Sequence, residues 1–215
     1  WPELEVCSVN IQSEHKAILE GEQEFVLSSQ TKLCHRLNGI NLYVQPQSFF
    51  QTNTEVAAAL YQTARDWTAD LAVQRVWDLF CGVGGFALHL ASPQRQVTGI
   101  EISAPAIECA LQSAQELGAH IDFRALDADS FANAASEGPE LLVVNPPRRG
   151  LGAGLCEQIE LLKPAFLLYS SCNPDTMQQD LLRLSRYAVR KAQLFDMFPH
   201  TAHAEALCLL ERISS

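Results

Sequence analysis

The sequence has no long apolar run, and no window approaches the roughly 18 consecutive apolar residues of a membrane-spanning helix. Its N-terminus has no basic stretch followed by an apolar segment, so no signal peptide is expected. Internal repeats and low-complexity stretches are also lacking. Because the first residue is Trp1 and not Met, we expect a fragment with a part missing upstream. These absences predict a globular chain that has no membrane partner.

Clustered cysteines are lacking as well. The seven cysteines are an odd number, they are scattered along the chain, and none of them form a CxxC pair or have zinc spacing. A disulfide framework is therefore not expected, and a reduced, cytoplasmic setting is predicted. Most of these cysteines should be small buried hydrophobic residues.

Positive charge is scarce, with 15 Lys and Arg against 25 Asp and Glu and a net charge of −10. This balance by itself argues against a nucleic-acid partner. Residues 145–195 differ, because seven basic and four acidic residues give 7 − 4 = +3 and leave −13 for the rest. That segment is either an ordinary solvated helix face or part of a nucleic-acid surface. The missing upstream part is a further candidate for the main basic surface.

Residues 1–50 have β-rich patterns. The strand-like segments are Glu5–Ile11, Glu24–Ser28 and Ile40–Val44, and Asn38-Gly39 predicts a turn before the last of them. The segment is too small to stand alone, so we interpret it as the remnant of a central domain. Residues 51–215 are then predicted to be the catalytic domain.

From residue 75 onward, strand and helix patterns alternate, which predicts an α/β fold with a parallel sheet covered on both faces. The short apolar strands are Arg75–Phe80, Gln96–Glu101, Ile121–Ala125, Glu140–Asn145 and Pro164–Ser170. Helices are predicted from a cap at Asn53 or Thr54 to about Ala69, and near 85–91, 104–117, 153–162 and 175–185. Tyr187–Phe198 and Ala204–Arg212 follow without a helix between them, which predicts a terminal antiparallel hairpin. A mostly parallel, Rossmann-like, seven-stranded sheet that ends in this way is typical of class I methyltransferases.

A glycine-rich turn, Asp78–Phe86, follows the first parallel strand, and glycines there let a ligand approach the backbone closely. Its G-x-G-G spacing, which starts at Gly82, lacks the third glycine of dinucleotide-binding turns. Glu101 ends the next strand 19 residues after Gly82, where a carboxylate can accept hydrogen bonds from a ribose diol. Asp127 follows the third strand and can contact an adenine amino group. Each acid alone could instead cap a helix, but together they favour an adenosyl cofactor, S-adenosylmethionine.

The fourth strand runs into Asn145-Pro146-Pro147-Arg148-Arg149-Gly150. Two prolines stiffen this turn and fix Asn145 at the carboxyl edge of the sheet, where ligands bind. The same Asn-Pro-Pro pattern fits methyltransferases that act on an exocyclic amino group. The motif therefore indicates methyl transfer to a planar base without identifying the atom.

Two further motifs contain reactive side chains. Cys172 follows the fifth strand and precedes a predicted helix start, and a helix N-terminus favours a thiolate nucleophile. Glu205 ends the motif Phe198–Glu205, which also contains two histidines. A metal site would need further ligands that are not obvious in the sequence, so no metal is predicted. A base role explains Glu205 better.

These motifs together resemble the bacterial RNA uracil-C5 methyltransferases, and within them the branch that modifies 23S ribosomal RNA. The resemblance extends from about residue 40 onward and includes Ser-Phe-Phe-Gln-Thr-Asn at 48–53. It implies that Cys172 is the nucleophile and Glu205 the base. It also implies that the cofactor pocket contains Gln51, Phe80, Glu101 and Asn145. Gln51 and Asn145 are also candidates for contact with the base, although many relatives have Asp at the position of Asn145.

The resemblance implies that S-adenosylmethionine is the methyl donor and that RNA, in particular a 23S ribosomal RNA hairpin, is the partner. We expect a monomer with no obligate protein partner. The four-cysteine iron–sulfur cluster of the family has no counterpart in this sequence, so a [4Fe-4S] cluster could belong only to the missing upstream part. Two alternatives stay open: a fragment that binds cofactor but is inactive without its upstream region, and a nucleobase amino-methyltransferase.

Overall fold

The computed structural model describes residues 3–13, 21, 23–201 and 203–213. Its strands in chain order are β1 (Ser8–Ile11), β2 (Gln23–Val26), β3 (Leu33–Leu37), β4 (Ile40–Val44), β5 (Arg75–Leu79), β6 (Gln96–Glu101), β7 (Ile121–Ala125), β8 (Leu141–Val144), β9 (Phe166–Ser171), β10 (Tyr187–Phe195) and β11 (Glu205–Arg212). Its helices are α1 (Thr54–Thr68), α2 (Gly85–Leu90), α3 (Ala104–Leu117), α4 (Ala128–Ala134), α5 (Gly152–Leu162) and α6 (Pro174–Arg183).

Seven strands form the central sheet in the order β10-β11-β9-β8-β5-β6-β7. The strands from β7 to β9 pair in parallel, and β11 pairs antiparallel with both β9 and β10. The prediction of five parallel strands closed by an antiparallel hairpin is therefore confirmed. Because β11 runs in the reverse direction, its first residue lies at the edge where the parallel strands end.

Both faces of this sheet are covered by helices, and β8 shows how. Leu141 and Val143 pack into a core with α1, α2 and α3, whereas Leu142 and Val144 pack into a core with α4, α5 and α6. Successive side chains of a strand point to opposite faces, so one continuous apolar run fills both cores. We call these two sides of the sheet the α1 face and the α5 face.

Two short antiparallel ribbons precede the central sheet, β1 with β2 and β3 with β4, which confirms the predicted β-rich segment. Asn38 and Gly39 form the turn between β3 and β4 with φ values of 50° and 83°. Positive φ at both positions is what a two-residue type I′ hairpin turn requires. Leu37, Ile40 and Leu42 of this hairpin are buried in the core of the α1 face. How the chain divides into domains stays a prediction.

The helices follow the predicted positions with one addition. Asn53 caps α1, because its side-chain oxygen accepts a hydrogen bond from the Val56 N–H at 3.2 Å. The sequence prediction omits α4, which has only seven residues and no clear apolar period. Among the described helices, none has both the length and the apolar character needed to cross a membrane.

Candidate active site

Several predicted site residues lie at the carboxyl edge of the sheet, and two side chains there point to its α1 face. Leu168 of β9 and Leu207 of β11 belong to the core of the α1 face. Since side chains alternate along a strand, Ser170 and Glu205 point to the same side as these leucines. Both side chains therefore lie on one side of this edge.

The glycine-rich turn lies at this edge between β5 and α2. Phe80 has a φ of 62° and Gly82 a φ of 53°, so the backbone takes the left-handed conformation twice in three residues. The Gly82 N–H donates a hydrogen bond to Glu101 Oε2 at 3.1 Å, and Glu101 Oε1 accepts one from the Ser103 N–H at 3.0 Å. A Cβ atom added at Gly82 would meet nothing within 4 Å. The turn therefore faces open space, and three predicted cofactor residues lie together around it.

Asp78 is a buried carboxyl group beneath this turn that the sequence prediction does not include. Its side chain has no exposed surface, and Oδ2 accepts a hydrogen bond from the Ala87 N–H at 2.9 Å. Oδ1 has no hydrogen-bond partner among the described residues. Burial raises the pKa of Asp78 to about 8, while the Ala87 N–H lowers it and the charge of Glu101 raises it further. The sequence does contain a signal for this group, because an acid within a short apolar strand such as β5 is unusual and points to a functional or structural role.

Asn145 lies at the end of β8 beside the glycine-rich turn, and its N–H donates to the Leu79 carbonyl oxygen at 3.4 Å. The turn that follows Asn145 is tied to the start of α6. The Arg148 carbonyl oxygen accepts hydrogen bonds from Asn173 Nδ2 at 3.0 Å and from Thr176 Oγ1 at 3.2 Å. The Asn145 turn and the segment that contains Cys172 are thus joined directly.

Cys172 lies between the end of β9 and the N-cap of α6, which is Asn173. Its side chain is partly exposed, unlike the buried Cys81, Cys109, Cys156 and Cys208. All seven cysteines are free, as predicted, although Cys34 is exposed and Cys7 is half-buried. A half-exposed thiol at the carboxyl edge is accessible to a ligand bound there.

Glu205 begins β11 opposite the end of β9. Ala206 pairs with Ser171, so continuing this antiparallel register by one residue places Glu205 across from Cys172. Glu205 is 2% exposed, and its Oε1 accepts a hydrogen bond from the Ser170 hydroxyl. Burial raises the pKa of Glu205 to about 7, and the Ser170 hydrogen bond acts in the opposite direction. A carboxyl group that titrates near neutrality is suited to accept a proton.

The remaining predicted residues have more local roles. Gln51 is buried, with 4% exposed surface, and its side chain has no hydrogen-bond partner among the described residues. Asp127 is exposed and caps α4, because its Oδ1 accepts hydrogen bonds from the Ser130 N–H at 2.9 Å and the Ser130 hydroxyl at 3.0 Å. Glu101 is not a helix cap, since Ser103 caps α3. Contacts of Gln51 and Asp127 with a cofactor stay predictions.

The histidine-containing loop connects β10 to β11. His200 has a φ of 68°, and the rings of Phe198 and His203 meet edge to face with centroids 6.5 Å apart. Ala202 of this motif lies outside the described residues. Across the described part of the chain, no three His, Cys, Asp or Glu side chains lie close enough to hold a metal ion. The described residues therefore do not fit an iron–sulfur cluster.

Comparison with known proteins gives close relatives. The chain is 56% identical over 212 residues to the 23S rRNA (uracil(747)-C(5))-methyltransferase RlmC of Pectobacterium atrosepticum, covering 98% of this chain and 56% of that protein. It is 57% identical over 215 residues to the protein of the same name from Edwardsiella ictaluri, covering 100% of this chain and 57% of that protein. The chain thus spans a little over half the length of these curated relatives.

A solved structure and a family model agree with these relatives. The tRNA (uracil-54, C5)-methyltransferase of Pyrococcus abyssi, in complex with S-adenosyl-L-homocysteine, matches with a TM-score of 0.82 and 27% identity. The match covers 97% of this chain and 51% of that chain, which confirms the predicted methyltransferase fold. The family model described as tRNA (Uracil-5-)-methyltransferase matches residues 36–213. The chain belongs to this family of uracil-5-methyltransferases.

Proposed function

We propose that this chain transfers a methyl group from S-adenosylmethionine to C5 of a uracil in RNA, through a covalent adduct between Cys172 and uracil C6. The β9–β11 register is the observation that carries the proposal, because it brings Cys172 and Glu205 together at the edge of the sheet where β5 also leads into the glycine-rich turn. The names of the RlmC relatives support 23S ribosomal RNA as the substrate and make uracil 747 the first position to test.

The open space at the glycine-rich turn fits an adenosyl cofactor. The Glu101 oxygens each accept one backbone hydrogen bond, and each has a second lone pair that a ribose hydroxyl would use. Gly82 presents no side chain to that space. Phe80, Gln51, Asp127 and Asn145 would complete the pocket. When bound, S-adenosylmethionine supplies an electrophilic methyl group.

The first step needs the Cys172 thiolate because uracil C5 is a poor nucleophile. The thiolate adds to C6, the Sγ–C6 bond forms, and the electron pair of the C5–C6 double bond moves toward C5 and the O4 carbonyl. The resulting enolate would take the methyl group at C5, and the sulfonium–methyl bond would break to leave S-adenosylhomocysteine. Holding both substrates against one sheet edge makes this transfer effectively unimolecular.

Glu205 then completes the cycle. Its carboxylate removes the proton from C5, the C5–C6 double bond re-forms, and the C6–Sγ bond breaks to release the Cys172 thiolate. Because burial raises its pKa to about 7, this carboxylate can both take up and release a proton near neutral pH. The uracil must leave its stack in the RNA to reach the buried Glu205 carboxylate. Flipping a nucleotide out costs least in an unpaired loop.

The surface next to the site supports an RNA partner despite the acidic chain. Arg148 and Arg149 are exposed in the turn that follows Asn145, and Asn173 and Thr176 hold the backbone of that turn. Two guanidinium groups beside the site would contact phosphates flanking the target base.

The proposal is tested by methylating 23S ribosomal RNA with tritiated S-adenosylmethionine and mapping the methylated atom by mass spectrometry. Cys172→Ala should abolish methylation while leaving cofactor affinity unchanged, because the thiol acts on uracil. Cys208→Ala, at a buried cysteine of β11, is the matched control and should retain turnover.

Other outcomes of that experiment identify the alternatives. Methyl groups on an exocyclic nitrogen would indicate an amino-methyltransferase and leave Cys172 without a role. Cofactor binding by calorimetry without turnover would indicate a binding fragment. Turnover by Cys172→Ala would exclude the covalent route.

A further inference from the structure

We infer that Ser170 is a positioning residue for Glu205, which orients the carboxylate and keeps it able to accept the C5 proton. This inference rests on the function proposed above. Ser170 would act only through Glu205, so it should matter for proton removal and not for attack by Cys172 or for methyl transfer. That separation makes the inference testable independently of the overall reaction.

The sheet register brings Ser170 and Glu205 together although they are 35 residues apart in sequence. Ser170 pairs directly with Leu207, so Glu205 is its diagonal neighbour on the same face of β11. Diagonal neighbours lie within reach of a long side chain such as glutamate. The Glu205 side chain extends back along the sheet and accepts the Ser170 hydroxyl hydrogen bond at Oε1.

This hydrogen bond leaves one carboxylate oxygen for the reaction. Ser170 is fully buried, and its hydroxyl donates to Glu205 Oε1. Glu205 Oε2 makes no hydrogen bond to any described residue. With Oε1 fixed, the carboxylate has a defined orientation and Oε2 is the oxygen that takes the proton.

Within the described residues, no Lys or Arg charge lowers the pKa of Glu205. Phe195 is its neighbour on β10. The titratable residues next to it at the paired strand ends are Cys172 after β9, Asp196 after β10 and His203 before β11, and Tyr61 on α1 and Asp78 on β5 lie on the same face of the sheet. The charges of Asp78 and Glu205 both raise the pKa of Tyr61, which places that phenol near both acids. Ser170 is therefore the hydrogen-bond donor that supports the Glu205 carboxylate.

Two opposing influences on the pKa of Glu205 determine in which direction loss of the Ser170 hydroxyl shifts it. Burial raises its pKa to about 7, and the Ser170 hydrogen bond lowers it. Removing the hydroxyl takes away the lowering influence, so the pKa rises and less carboxylate is present at neutral pH. Because the base must be ionised, the acidic limb of the pH–rate profile should move to higher pH.

The test compares Ser170→Thr with Ser170→Val, which have nearly the same shape but differ by the hydroxyl. The release of methylated 23S ribosomal RNA from its Cys172 adduct, which reports proton removal, is measured in single turnovers across pH 5–9. The acidic limb of the valine variant should lie about one pH unit above that of the wild type, and the threonine variant should coincide with the wild type. A valine profile that coincides with the wild type would overturn the inference. Ser170→Ala gives the same comparison if valine is not accommodated.

RNA transcribed with 5-fluorouridine separates this inference from the proposed function. Fluorine cannot be removed as a proton, so the adduct with Cys172 should accumulate without any base. Wild type and Ser170→Val should form it at equal rates, seen as a shifted band on a denaturing gel. Absence of the wild-type adduct would overturn the proposed function itself. A slower adduct in the valine variant alone would overturn only the role of Ser170.

A buried serine elsewhere controls for lost stability. Ser113 on α3 is 1% exposed, and its hydroxyl donates to the Cys109 carbonyl oxygen at 3.0 Å. Ser113→Ala should lower the melting temperature without moving the acidic limb. A shift of the limb in this control would show that destabilisation alone moves the profile, and would overturn the inference.

Discussion

Asp180 Oδ2 accepts a hydrogen bond from the Tyr169 hydroxyl at 2.8 Å, which joins α6 to β9 inside the α5 face. The same carboxylate accepts hydrogen bonds from the Leu151 N–H at 2.7 Å and the Gly152 N–H at 3.2 Å. One buried side chain, 2% exposed, thus organises the turn that leads from Asn145 into α5. From the α5 face, this carboxylate therefore supports both the turn that follows Asn145 and β9, the strand that leads to Cys172.

Asp180→Ala should therefore lower the free energy of unfolding by about 3 kcal/mol or more, because several buried donors lose their acceptor at once. Urea unfolding followed by circular dichroism measures this change. Asp70→Ala, at an exposed residue just after α1, is the control and should change stability by less than about 0.5 kcal/mol. Equal effects of the two substitutions would contradict the role given to Asp180.

Glu101→Gln should weaken S-adenosylmethionine binding by at least about tenfold. The two carboxylate oxygens accept hydrogen bonds from the Gly82 and Ser103 N–H groups, and the amide keeps only one oxygen that can accept. Isothermal calorimetry measures the affinity. Glu140 is a matched control, because its Oε2 accepts the Gln74 and Arg75 N–H groups at the opposite edge of the sheet. Glu140→Gln should reduce stability but leave the affinity unchanged. An equal loss of affinity in both variants would contradict a cofactor site at Glu101.

Asp78→Asn should flatten the dependence of stability on pH. Burial raises the pKa of Asp78 to about 8 in the folded state, against 3.8 for the ordinary carboxyl group. Its contribution to stability is full below pH ~4 and is lost as pH rises through 8, by up to about 1.4 kcal/mol per pH unit. The free energy of unfolding should fall between pH 5 and 9 in the wild type and fall less in the variant. Identical slopes would show that folding does not raise the pKa of Asp78.

Much of the fold follows from local patterns. Apolar runs such as Leu141–Val144 identify the buried strands, and the missing helix before β11 identifies the terminal hairpin. Gly82 and Glu101, both predicted from the sequence to bind the cofactor, are joined by a hydrogen bond, and their contact with a cofactor stays a prediction. Parallel strands end at one edge, so motifs that follow such strands must converge.

Sequence patterns do not predict two kinds of feature: residues whose role depends on a partner distant in sequence, and segments too short to have a period. Ser170 looks like an ordinary strand residue until the β9–β11 register places Glu205 beside it. In the sequence, Asp180 resembles any acid on the polar face of an amphipathic helix. Only the folded structure shows that it is buried against Tyr169. α4 is too short for an apolar period, and its start is indicated only by the cap Asp127. Asp127 has the capping role that the sequence allowed, and its contact with a cofactor stays a prediction.

The covalent route through Cys172 and Glu205 is tested most directly by Glu205→Gln. This variant should still form the Sγ–C6 bond and transfer the methyl group, but it cannot remove the C5 proton. Intact mass spectrometry under denaturing conditions should find protein joined to RNA with one added methyl group, and peptide mapping should place the bond at Cys172. Cys172→Ala in the same background should give no adduct. Methylated RNA released without any adduct, or an adduct mapped to another cysteine, would contradict the proposed mechanism.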